Sequence, residues 1–304
     1  MTNSPLAAGR GPYDLQGAID LHVHTAPCLF ARLGDDIETA RLCAGAGLRA
    51  IAIKSHHEST VSRARLSSQA VPGIDVVGGI TLNWTVGGVN PYAVEAALLT
   101  GGRIVWGPSG HAAYHGEIMG GLGSWGRPGM AMPGSPDAGV QVTDETGQLT
   151  SAARNVLDLI GDHDAVFATS HLGPHEILAV LAYAKPRGIK VLVNHVFYLP
   201  RVDEEFLGKV VAAGGLIEIV SGVMLVPKLQ KDLDYTYSRL VATIQRFGAE
   251  SFILASDGGS VDLALWPYEQ LRMFARLLLN AGLKEPELDL TLRTNPARLI
   301  GLPV

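Results

Sequence analysis

The chain has only two cysteines, Cys28 and Cys43, in 304 residues. That gives no disulfide framework, excludes a stapled secreted scaffold and suits a reducing compartment. Charge is also sparse, at 17% of residues, and nowhere gathers into a basic block. With 24 basic against 29 acidic residues the net charge is −5, so nucleic acid is not an expected partner. No apolar run is long enough to span a bilayer, and residues 1–16 lack the charged-then-apolar layout of a signal peptide. No membrane association is expected, and a cytoplasmic location is. No GxGxxG follows any expected strand, which argues against a doubly wound dinucleotide-binding sheet. Internal repeats, low-complexity tracts and linkers are missing too.

What is present is 47% hydrophobic residues in an ordered rhythm. Short β-branched runs alternate with amphipathic stretches of helical length. The spacing predicts strands near 18–23, 50–53, 74–78, 103–106, 165–169, 190–194, 216–220 and 252–255. Helices are expected at 35–46, 59–70, 90–100, 150–161, 174–187, 203–213, 235–248, 266–282 and 288–300. Eight strand–helix units in strict alternation predict a parallel sheet closed into a (β/α)8 barrel, a TIM barrel. Residues 1–16 read as an N-terminal tail and 17–304 as the barrel. The stretch 107–150, after strand four, reads as a lid-like insertion ending in a small hairpin at 140–149. Its Trp125, Met130, Met132 and His115 are candidates to cover a small substrate.

Catalytic groups of such a barrel lie at the C-terminal ends of its strands. Strand one ends in Asp20-Leu21-His22-Val23-His24, and histidines at i and i+2 point to the same side. Strand two ends in Lys54-Ser55-His56-His57-Glu58, strand five in Ser170-His171, strand six in Asn194-His195 and strand eight in Ser256-Asp257-Gly258-Gly259. Five strands thus deliver His or Asp to one rim. Imidazole and carboxylate groups gathered in this way suit a divalent metal.

On these residues the sequence resembles the amidohydrolase superfamily of metal-dependent hydrolases. That pattern is HxH on strand one, a histidine on each of strands five and six, and an aspartate on strand eight. The resemblance runs from Asp20 to the C terminus, where Thr294-Asn295-Pro296-Ala297-Arg298-Leu299-Ile300 is similar to the family's closing helix. It implies that His22, His24, His171 and Asp257 hold the metal, Zn2+ first, with Mn2+, Fe2+ or Co2+ as alternatives. The ion lowers the pKa of its water, and Asp257 passes the proton to the leaving group. His195 then ligates a second metal or polarises the substrate. Strand four ends in Trp106-Gly107-Pro108-Ser109-Gly110, without the bridging Lys or Glu of binuclear members, so one metal per chain is expected rather than two. Lys54 shares parity with Ala50 and Ala52 and is expected in the lumen as a catalytic group. It is either carboxylated, set to bind a substrate carboxylate, or paired with Glu58.

HxH followed by His56 also resembles the PHP phosphoesterases, but the acid expected near strand three is missing; Thr81 and Asn83 stand there. His56, His111 and Glu218 are the candidate substrate contacts; Glu218, a charge within a buried strand that needs a partner, either reaches the site as an acid, orients a ligand or is paired structurally. His57 and His163 read as structural or surface residues. The expected activity is hydrolysis of a C–N or C–O bond in a small molecule: an amide, cyclic amide, lactone or deamination substrate. Non-oxidative decarboxylation on the same barrel is the alternative, and a non-catalytic barrel that kept the ligands is a third reading. A homo-oligomer is compatible with the sequence.

Overall fold

The apolar runs fold as parallel strands in a computed structural model that describes residues 13–125, 132, 138–196, 202–222 and 236–304. The strands are β1 (Ile19–Val23), β2 (Ala50–Ile53), β3 (Asp75–Val77), β4 (Gly79–Thr81), β5 (Ile104–Trp106), β6 (Val166–Ala168), β7 (Lys190–Val193), β8 (Leu216–Val220) and β9 (Phe252–Ala255). One sheet runs β1-β2-β3 and the other β4 through β9, with every neighbour parallel. β3 and β4 are a single path kinked at Gly78, so the expected third strand comes in two pieces and links the sheets. At the opposite seam Val23 bridges Gly258, and the His24 N–H donates to Gly258 O at 2.8 Å. The circle is that of a (β/α)8 barrel.

Strand parity divides the core. Ile51, Ile53, Val105, Phe167, Val191, Ile217, Ile219 and Leu254 pack outward against the helices. Ala50, Ala52, Ile104, Trp106, Val166, Ala168, Leu192 and Ile253 fill the lumen. β1 breaks simple alternation. Ile19 pairs with Ala50 and Asp20 with Ile51, but Val23 pairs with Ile53, so Leu21 and His22 together face one residue of β2. This bulge leaves Ile19 and Leu21 in the lumen, turns Val23 outward, and sends His22 and His24 inward as well. Asp20 fills the gap the bulge opens: its Oδ1 accepts from Ser256 N at 3.0 Å and from His22 N at 3.2 Å.

Helices follow the strands within one to three residues of expectation, several started by side-chain caps: Asp35, Asn90, Thr150, Asp203 and Thr236 each accept from a first-turn N–H. The last helical stretch is three pieces, Glu285–Asp289, a π turn at Leu290–Thr294, and Asn295–Leu299. Ala297, Leu299 and Ile300 join the lumen cluster with Ile19 and Ile104, plugging the end remote from the histidines. The expected tail is shorter than 1–16. Leu15 is buried in the core, and Arg293 donates to Tyr13 Oη, Asp14 O and Gln16 O; residues 1–12 lie outside the described residues. The insertion 107–150 carries a helix, Ala113–Met119, that the sequence did not suggest, and an antiparallel bridge, Thr143–Leu149, at the expected hairpin. Glu176 ties this insertion to the helix Pro174–Ala184, accepting from Val142 N and Gly173 N. No helix among the described residues is long and apolar enough to cross a membrane.

Candidate metal centre

Three side chains converge at the C-terminal rim. His22 Nε2 lies 3.2 Å, and His24 Nε2 3.1 Å, from the same Asp257 Oδ1. One ligand atom from each of His22, His24 and Asp257 falls within 4.8 Å of the others, a group able to hold a metal ion. Each imidazole is locked from behind. His24 Nδ1 faces Lys54 O at 2.9 Å, and His22 Nδ1 faces Glu218 Oε2 at 3.1 Å. Both partners only accept, so each Nδ1 carries a hydrogen and each ring turns its Nε2 toward Asp257. Burial, with the Arg32 charge nearby, lowers the His24 pKa to about 3, so His24 is neutral near neutral pH. The two Nε2 atoms and Asp257 Oδ1 thus face one another, the arrangement of donors that a divalent cation takes. The donor set thus fits a divalent metal.

Asp257 is the open member of the group: its side chain keeps 28% exposure against 1% for His22. Burial pushes its carboxyl upward, but His22, His24 and His195 hold it well below the ordinary carboxylate value. Asp257, Ser170 and His195 all have left-handed backbones, with φ of 51°, 52° and 28°. Strained non-glycine positions past the ends of β6, β7 and β9 are characteristic of functional sites.

Glu218, a candidate substrate contact that could also orient a ligand, stands under the ligands as a fully buried strut. Its Oε2 also accepts from Asn194 Nδ2 at 3.0 Å and His195 N at 3.2 Å. Burial raises this carboxyl, but His22, His195 and Asn194 together outweigh it and the net shift is downward. Lys54 lies in the lumen as its parity predicted, with Nζ 3.3 Å from both His22 Nε2 and Ser170 Oγ; Glu58 pairs with Arg63 instead. Burial lowers the Lys54 pKa to about 8.

His171 stands outside the converging group. Its Nδ1 is 2.6 Å from His115 Nδ1, and its ring packs edge-on to His195 at 5.0 Å. His195 in turn lies 5.5 Å from His22, and burial lowers its pKa to about 4. On the other flank His56 stacks on His24 at 4.7 Å and meets Ser109 Oγ at 2.8 Å. Trp125 closes the ring, 5.1 Å from His56 and 5.0 Å from His115. A side chain at Gly110 would fall 2.5 Å from the Trp125 ring, so glycine is what admits the indole. Met132 is buried and its sulfur also approaches that position, whereas Met130 lies outside the described residues. His111 is buried away from the metal ligands, its Nδ1 accepting from Trp84 N at 3.2 Å.

Four contributors escaped the sequence reading. Asn83 organises the His56 flank, donating to His56 O and Ser109 Oγ and accepting from Ser109 N and His111 N. Ser109 shares that network. Phe30, edge-on to Trp125 at 5.0 Å, and Arg32 come from the loop after β1. Asn83 and Ser109 were findable as polar residues just past strand ends; Phe30 and Arg32 carry no such signal.

A model of a family described as a family of unknown function (DUF6282) matches residues 17–218. No curated protein matches the sequence significantly. Among solved structures, a putative 2-pyrone-4,6-dicarboxylic acid hydrolase from Pseudomonas putida matches with a TM-score of 0.59 at 14% identity, over 95% of this chain and 98% of its own. A 2,6-dihydroxybenzoate decarboxylase from Rhizobium gives 0.57 at 12% identity, over 94% and 99%. An amidohydrolase from Burkholderia multivorans with bound zinc gives 0.57 at 15% identity, over 94% and 99%. At these identities the likeness is one of fold.

Proposed function

The chain belongs to the DUF6282 family, and from the site it carries we propose that it is a metal-dependent hydrolase of the amidohydrolase superfamily, acting on a C–N or C–O bond of a small molecule. The observation that carries this reading is the convergence of His22, His24 and Asp257 with both histidine tautomers fixed from behind. Zinc, one ion per chain, suits two imidazoles and a carboxylate. A divalent ion held there supplies Lewis acidity.

The chain's own residues do the rest. His22 and His24 turn their Nε2 atoms toward Asp257, held in place by Glu218 and the Lys54 carbonyl. Asp257 Oδ1 faces the histidines, leaving Oδ2 to take a proton from the attacking water and return it to the leaving group. His195 and Lys54, beside His22, are placed to polarise or hold the substrate. His171 contributes by packing between His195 and His115. Trp125 and Phe30 wall the site and exclude water. The free thiols Cys28 and Cys43 support a cytoplasmic setting.

Protein expressed with added Zn2+ should carry about one zinc per chain. It should hydrolyse members of a panel of lactones and amides, lose that turnover on chelation and regain it with zinc. Asp257→Asn should lower kcat by ~10²–10⁴. A chain that takes up no metal overturns the reading. The decarboxylase likeness supports a second reading, release of CO2 from a carboxylated aromatic. Product analysis separates the two.

A further inference from the structure

Arg32 is a cation on the loop after β1 with no acidic partner among the described residues. Its Nε donates to Cys28 Sγ at 3.2 Å, and its guanidinium lies 5.7 Å from the Phe30 ring centre. A thiol is a weak acceptor, so the planar fork of the remaining N–H groups is left without a strong one. The nearby acids are engaged elsewhere. Asp36 and Glu58 are both held by Arg63, Asp35 caps the helix Asp36–Gly45, and Asp257 faces the histidines.

The position of Arg32 is built rather than incidental. Its backbone bridges Ser260, and Leu33 N donates to Gly259 O at 3.0 Å, so it is pinned to the loop that carries Asp257. From the guanidinium a continuous path of rings leads inward. Phe30 lies 5.6 Å from His56, and His56 lies 4.7 Å from His24. The Arg32 charge is felt at His24, Lys54 and His56, where it opposes protonation. Phe30 and Trp125 meet edge to face at 5.0 Å, and both rings lie against His56.

We infer that Arg32 anchors a carboxylate on a planar substrate, holding it against Phe30 and Trp125 while the bond to be cleaved reaches the metal centre. This inference rests on the metal-centre reading and names the substrate class for it. A guanidinium fork pairs with a carboxylate through two parallel hydrogen bonds, and the aromatic walls fit a flat body.

The test is calorimetric titration of the full-length chain with benzoate and with its neutral counterpart benzamide, with zinc content measured on the same sample. The wild type should prefer benzoate by at least about tenfold. Arg32→Gln should erase that preference with zinc per chain unchanged, and Arg32→Lys should keep part of it. If the preference survives in Arg32→Gln, or the zinc-loaded wild type shows none, the inference is overturned. A chain free of zinc overturns the metal reading instead, and on that chain the same pair of titrations still reads Arg32, with the same two outcomes deciding.

Discussion

Gly259 presses on the backbone of His24: a Cβ at position 259 would fall 1.8 Å from the His24 carbonyl oxygen. Its φ is +107°, a conformation side chains rarely adopt. The contact brings the loop after β9 against the end of β1, which is how Asp257 reaches both histidines. Gly259→Ala should therefore cost stability, about 2–4 kcal/mol, and zinc content should fall with it. Chemical denaturation and metal analysis of the same preparation check this. A variant with wild-type stability would show that the seam relaxes without cost.

Glu218 touches no open space, yet it fixes the tautomer of His22 and the backbone of His195. Glu218→Gln keeps the shape and removes the charge. Zinc affinity should weaken about 10- to 100-fold, as for other groups that orient a ligating histidine. Competition with a chromophoric chelator measures it. An unchanged affinity would mean that the charge of Glu218 is not what orients His22.

The strand-end residues were legible in the sequence because each follows an apolar run whose length and composition announce a buried strand. The reason His22 and His24 face inward was not. Plain alternation from Ile19 and Leu21 would put both histidines on the outer side, and only the extra residue in the β1–β2 pairing reverses it. A bulge is a property of two strands together and leaves no mark on one of them. His115 stayed ambiguous for a related reason: the helix Ala113–Met119 is too short to show a period, and its contact with His171 joins segments far apart in the chain. Glu218 was visible as a buried charge needing a partner, but which partner depended on the barrel closing.

Trp125 joins both ends of the histidine arc, touching His56 on one flank and His115 on the other. Trp125→Ala should raise KM for whichever substrate the panel identifies, by roughly tenfold if the lost aromatic contacts follow their usual strength. Zinc content should stay at the wild-type level, because the indole touches neither His22 nor Asp257. A fall in kcat at constant KM would instead place Trp125 in the chemical step.

Arg63 governs the loop that carries Phe30 and Arg32. It donates to both oxygens of Asp36, to Glu58, and to the carbonyls of Ala26 and Pro27. Thr25 Oγ1, which donates to Asp36 at 2.5 Å, completes the knot. Lysine cannot reproduce this planar fork, so Arg63→Lys leaves several acceptors without a donor. The expected cost is about 1–3 kcal/mol of stability. Because the loop lies outside the metal ligands, zinc uptake should be retained while protease cleavage between residues 25 and 35 accelerates. Limited proteolysis followed by mass spectrometry reads the cut sites. Protection equal to wild type would assign the loop's order to its pairing with Gly259 and Ser260 rather than to Arg63.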